Sequence, residues 1–161
     1  MHFNKHSPAP VRGTLKSNEI ENWRERWLVC INELTSLDLQ KKNWLDTTST
    51  NLHWSFAEFM CSYFDDLGVN DNYVFPLRNK WITKQEFELI KVWHESLANY
   101  SSPKDEDYDV EAVLNDPKWL EIIHSGVRAK NNLSQILNER EKQVLAEENV
   151  SELINRTRNI R

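Results

Sequence analysis

Asp105, Glu106, Asp107 and Asp109 surround Tyr108 within five consecutive residues of this 161-residue chain. Carboxylates at that density can hold a hard cation or meet a positively charged surface. The Asp105, Asp107, Asp109 spacing imitates the opening of a calcium-binding EF-hand loop, and Asp116 falls at its twelfth position. The sixth position is Val110, however, where the sharp turn of such a loop requires glycine. The stretch therefore reads as a solvated acidic loop or as a patch for a basic partner, with Tyr108 as an amphipathic contact. Asp65, Asp66 and Asp71 are further candidates for that contact. Asp65 and Asp66 fall in the last turn of a predicted helix, where negative charge opposes the helix dipole.

His53, His94 and His124 lie on three different predicted helices. A helical metal or acid–base site would show His/Glu pairs three or four residues apart on one face. His94 instead adjoins Glu95, and Glu58 follows His53 by five positions. Polar capping of a core edge is the expected use of these histidines, and an enzyme assembled from them and nearby acids is the rival reading. The chain has no glycine-rich phosphate loop, no Cys-x-x-Cys and no Gly-x-Ser-x-Gly. No catalytic residue, metal or cofactor is assigned.

Charge is unevenly distributed along the chain. The formal net charge is −5, yet Lys5, Arg12 and Lys16 lie near the start and Arg156, Arg158 and Arg161 at the end. Residues 1–16 and 151–161 hold six of the 20 Lys+Arg and one of the 25 Asp+Glu, which leaves 14 positive and 24 negative residues between them. A body of net −10 repels phosphates and attracts basic surfaces, so nucleic acid is not expected as the main ligand.

These residues need a frame, and the composition describes one. Hydrophobic residues at 39% and charged residues at 28% suit a globular chain, and only 3 glycines argue for long helices joined by short polar loops. Length and composition predict one all-α domain of about five helices around an aromatic-rich core, with seven tryptophans supplying much of its volume. Residues 1–16 read as a flexible basic arm and 17–161 as the helical domain. That opening has no apolar signal region, and no apolar run is long enough to span a membrane, so a cytoplasmic location is expected. Cys30 and Cys61 both fall on apolar stripes and are expected in the core rather than in a disulfide.

The first helix is predicted from a capping box at Asn18 and Glu21 to about Leu39, with Ile20, Trp23, Trp27, Ile31 and Leu34 on its apolar face. Thr47–Asn51 is a polar break. The second helix carries Leu52, Phe56, Phe59, Met60, Tyr63, Phe64 and Leu67, and stops at Gly68. A short extended piece is expected around Tyr73–Phe75. The third helix opens on a Thr83/Glu86 capping box with Ile82 and Phe87 as a hydrophobic staple, and buries Ile90, Trp93, Leu97 and Tyr100. A short helix over Val110–Leu114 precedes a fourth long one, which opens at Asp116-Pro117 and runs to about Asn138. That helix carries Trp119, Ile123, Val127, Leu133 and Leu137, with Gly126 as a soft spot or a close-packing point. Residues 139–161 extend it or form a last helix using Val144, Leu145, Val150, Leu153 and Ile154.

One stretch also resembles small helical bacterial immunity proteins of toxin–immunity systems. It reads Trp81, Thr83-x-x-Glu86-x-x-x-Ile90-x-x-Trp93-His94-x-x-Leu97-x-x-Tyr100 and continues through Ser102-Pro103. It then passes the acidic run, Val113-Leu114-Asn115-Asp116-Pro117-x-Trp119, and a helix with Leu133 and Leu137. The resemblance spans about half the chain and implies a cytoplasmic inhibitor that masks a toxin's active site. The expected function is thus an acidic protein-binding module, an immunity-type inhibitor of a basic toxin or nuclease. A homo-oligomeric structural protein using an exposed apolar patch is the third reading.

Overall fold

A computed structural model of the chain describes residues 9–46 and 55–148, with side chains from Ser17 onward. The described residues form eight α-helices and no strand. They are α1 (Ala9–Thr35), α2 (Leu37–Trp44), α3 (Phe56–Cys61), α4 (Val74–Arg78), α5 (Lys84–Ala98), α6 (Val110–Leu114), α7 (Pro117–Ser134) and α8 (Glu139–Leu145). The all-α class is as expected, and the count exceeds five because α2 is split from the first predicted helix, α4 forms where an extended piece is expected, and α8 is separate from α7. The Thr47–Asn51 break, Leu52, His53 and the stripe of Val150, Leu153 and Ile154 lie outside the described residues.

The breaks come from side-chain caps. Ser36 accepts from the Leu39 backbone N–H and starts α2, so the first predicted helix ends at Thr35 rather than near Leu39. Asn138 caps Glu141 in the same way, which separates α7 from α8. Each cap satisfies a backbone donor that a helix start leaves open, typically worth about 1 kcal/mol. At the other end, α1 begins at Ala9, so part of the segment read as an arm is helical and Asn18 lies inside the helix instead of capping it. Pro10 in the first turn is compatible with that start, because the amide it lacks has no partner there.

Other starts follow the sequence closely. Thr83 and Glu86 form both halves of the capping box, Asp109 caps α6, and Asp116 caps α7 with Pro117 behind it. Gly68 stops the second element at φ +66°, a conformation that costs glycine nothing. That element begins at the cap Ser55 and widens into a π turn over Ser62–Asp66. Phe59, Tyr63 and Leu67 are all buried. Their spacing of four, used twice, drifts off a 3.6-residue turn, and the wider turn restores it. Tyr73–Phe75 is not extended: Tyr73 sits at φ 64° and launches α4, with Pro76 buried inside that helix.

Helix α1 is the central element and packs against α2, α3, the π turn, α7 and α8, while α5 packs on α7. Five tryptophans, Trp23, Trp27, Trp44, Trp93 and Trp119, are buried with their neighbours in one core. Edge-to-face contacts of Trp44 and Trp119 with Phe56 tie the far end together. Cys30 is buried as expected, but Cys61 is exposed, and Val127 also faces outward, beyond the limit of its helix's apolar stripe.

Gly126 is the close-packing point between α1, α5 and α7. A Cβ there would meet Thr35 Cγ2 at 2.6 Å and Trp93 Nε1 at 2.7 Å. Neither neighbour yields easily: Thr35 is β-branched and bonded to the Ile31 carbonyl, and Trp93 is a buried ring. Gly126→Ala should therefore lose about 1–3 kcal/mol by overpacking, against the gain of up to ~1 kcal/mol that alanine brings to an open helix. Urea denaturation reads the difference, and an unchanged or higher midpoint would contradict this packing.

Candidate functional site

The acidic loop leaves α5 and is held from both ends. Tyr100 packs against Phe56 and Trp119, and its hydroxyl donates to Asp116 Oδ2 at 2.9 Å. Burial and the Asp116 carboxylate both push that phenol's pKa upward. Buried Ser102 then donates to Asp107 Oδ1 at 2.6 Å, and Asp109 Oδ1 accepts from the Ala112 N–H at 3.1 Å. Between these anchors Lys104 and Asp105 both take left-handed backbone conformations, φ 57° and 54°. Asp tolerates that region, whereas lysine is strained in it.

The loop therefore divides its carboxylates by task. Asp107 and Asp109 hold its shape, and Asp116, the would-be twelfth EF-hand position, caps α7 and receives Tyr100. Val110, at the sixth position, opens α6. Asp105, Glu106 and Tyr108 are left facing solvent, Tyr108 with 83% of its surface accessible. Lys104 offsets one of the charges.

Asp65, Asp66 and Asp71 are also exposed but sit on other elements. The π turn bearing Asp65 and Asp66 packs on α1 and α3, whereas α6, which ends the acidic loop, packs on α2 and α7. No hydrogen bond or ion pair among the described residues joins the two groups. Asp65 also bonds the exposed Cys61 thiol, whose pKa is raised by partial desolvation and by the nearby Asp65 and Glu58 carboxylates.

The histidines are not assembled into one site. His124 is exposed on α7, and His53 lies outside the described residues. His94 is buried on α5, where its Nδ1 is 2.8 Å from the Tyr63 hydroxyl. Tyr63 in turn bonds the Tyr73 hydroxyl, which accepts from Trp27 Nε1 at 3.0 Å. This chain of four polar tips inside the core runs from α1 to α5 through the π turn and Tyr73. Sequence patterning counted Tyr63 only as an apolar stripe position and missed the chain. Burial lowers His94 to a pKa of about 4, so it is neutral at pH 7. Burial alone raises Glu33 to about 8, and burial, with the Glu33 carboxylate beside it, raises the Cys30 thiol.

A second polar cluster, also missed, surrounds Arg24. Its guanidinium donates to Glu86 Oε1 at 3.0 Å and Oε2 at 2.7 Å, to Glu141 Oε2 at 2.8 Å and to the Trp81 carbonyl at 3.0 Å. Burial pushes Glu86 up, but Arg24 and the Thr83 amide outweigh it and leave its pKa lowered. The only local sign of this cluster was the capping-box role of Glu86.

No family model, curated protein or solved structure matches this chain. Among the described residues no helix is long and apolar enough to cross a membrane.

Arg24→Met should cost about 3 kcal/mol, because it leaves the Glu86 carboxylate buried without its partner. The pH profile is a second check. His94, lowered from 6.5 to about 4, contributes stability that is complete above pH 6.5 and lost as pH falls toward 4. Glu33, raised from 4.5 to about 8, contributes stability that is complete below pH 4.5 and lost as pH rises through 8. The two slopes cancel between pH 4.5 and 6.5, so the wild-type urea midpoint should be flat there and fall on either side. Glu33→Gln should convert the flat window into a rise, and His94→Gln into a decline. A wild-type-like profile in either variant would refute the corresponding assignment.

Proposed function

We propose that the protein is a binding module for a basic protein partner and that the exposed end of the 105–109 loop is its contact. The observation that carries this reading is the geometry of Tyr108: an almost fully exposed aromatic ring flanked by solvent-facing carboxylates on a tethered loop. An exposed tyrosine with few torsions loses little entropy on docking, and the carboxylates around it steer a cationic surface into place. The net −10 of residues 17–150 acts in the same direction at longer range. Asp65, Asp66 and Asp71 extend the acidic field from other elements.

The specific form of this reading is an immunity-type inhibitor of a basic toxin or nuclease. It draws on the resemblance carried by the Thr83–Tyr100 and Val113–Trp119 stretches. Much of that pattern consists of caps and core positions in the fold, so the loop between them is the part free to recognise a partner.

The test is to express the product of the neighbouring reading frame and titrate it with this protein by calorimetry, alongside Asp105→Asn/Glu106→Lys/Tyr108→Ser, in which asparagine keeps the left-handed backbone at 105. That variant spares the loop's anchors. It should weaken capture at least tenfold and flatten its salt dependence. Equal affinity of variant and wild type would remove the loop from the contact. Asp109→Ala, by contrast, should cost about 1 kcal/mol of stability through loss of its cap.

A further inference from the structure

A cationic surface segment lies around α4. Residues 72–84 contain Arg78, Lys80 and Lys84 and no acid. All three are exposed, and among the described residues none of them forms an ion pair. Beside them Val74 and Phe75 are about half accessible, and Phe75 stands edge-on to the half-buried Trp81 at 5.1 Å. A mostly apolar groove lined by Leu77, Lys80, Ile82, Lys84, Phe87 and Glu88 runs alongside.

This face is built rigidly. Asn72, Tyr73 and Lys80 all adopt left-handed conformations at the two ends of α4. Tyr73 is fully buried and bonded to Trp27 and Tyr63, and Pro76 is buried beneath the helix. The buried Tyr73 and Pro76 therefore fix the backbone that bears Phe75 and the cations.

Its chemistry is the counterpart of the 105–109 loop: cations with an apolar groove here, carboxylates with an exposed aromatic ring there. We infer that the α4 face receives the Asp105–Tyr108 loop of a second copy of this chain, so that copies associate head to tail. Tyr108 would lie against Phe75 and the Leu77 groove, with Asp105 and Glu106 opposite Lys80 and Lys84. Three cations are too few for a phosphate backbone, which is held through many such contacts, and they match the two or three carboxylates of one loop. Three cations are likewise fewer than the roughly four to eight clustered basic residues that read as lipid-binding. The contact joins two different patches, so its association need not stop at two copies. It goes beyond the basic-partner reading and uses the same loop, but self-association and partner capture are measured separately and fail separately.

The test is sedimentation velocity on the full chain across a concentration series at low and at high salt. The expected result is a mass that rises with concentration at low salt and falls back toward the monomer at high salt. Lys80→Glu/Lys84→Glu and, separately, Asp105→Asn/Glu106→Lys/Tyr108→Ser should each weaken self-association at least tenfold. A mixture made to preserve one intact face and one intact loop would confirm the pairing: the two variants, each largely monomeric alone, should form a one-to-one dimer that grows no further. Circular dichroism melts of both variants check that they are folded, and Phe75→Ser gives a charge-neutral variant with the same expected loss. A wild type that stays monomeric throughout would overturn the inference, as would association insensitive to both charge variants. So would a mixture that remains monomeric, or a face that binds a single-stranded oligonucleotide or an anionic phosphatidylserine vesicle instead of the second copy.

Discussion

The arrangement of helices depends on one guanidinium. Arg24 lies on the central helix, and its planar fork reaches the start of α5 through Glu86 and the first turn of α8 through Glu141. Arginine suits this position because its donors are fixed in a plane that matches a carboxylate edge-on, whereas a lysine would offer only a point charge. The Glu86 side chain serves twice: Oε1 accepts from both Arg24 and the Thr83 amide, so the cap of α5 and the docking of α5 on α1 share one carboxylate. The charge is tolerated because its donors are paired and one π face lies against Trp27, with 5.5 Å between Arg24 Cζ and the ring centroid.

Trp27 carries the constraint inward. Its indole N–H anchors the tyrosine–histidine chain, which places four polar tips in an otherwise aromatic core and gives each a partner. Such a chain adds direction that apolar packing lacks. Tyr73 must turn inward to meet Trp27 and Tyr63, and the left-handed backbone that allows this aims the next residues outward. The exposed Val74 and Phe75 thus follow one and two residues after a buried hydrogen bond. A similar division occurs at the acidic loop, where Ser102, Asp107 and Asp109 spend their polar groups on the frame and leave Tyr108 outside. Both surface features stand on strained, tethered backbone, and they carry opposite charge.

Much of the local architecture was legible in the chain. The Thr83/Glu86 box, Asp116-Pro117, Gly68 and the short Val110–Leu114 helix all involve residues within about four positions of each other, and so does the geometry that makes them work. Ser36 and Ser55 are equally local, yet they lie inside runs whose apolar period continues past them, so spacing alone predicts one helix there; at Asn138 the spacing leaves an extension and a separate last helix both open. Cys61 and Val127 failed for a different reason. A stripe at helical spacing gives a direction but not its width, and tertiary neighbours decide where the buried arc ends.

By itself, then, the sequence determined the helical class, the starts of α5, α6 and α7, the aromatic core and the acidic character of the 105–109 loop. These depend on neighbouring residues and on summed composition. Tertiary structure alone decided that Arg24 meets Glu86 across 62 positions and Glu141 across 117, that His94 is a buried partner of Tyr63, and that Asp107 and Asp109 serve the frame while Tyr108 does not. A guanidinium, an imidazole or a carboxylate looks the same in the chain whether it faces water or a partner. Only the fold brings the distant donor within hydrogen-bonding distance, and only that distance assigns the role.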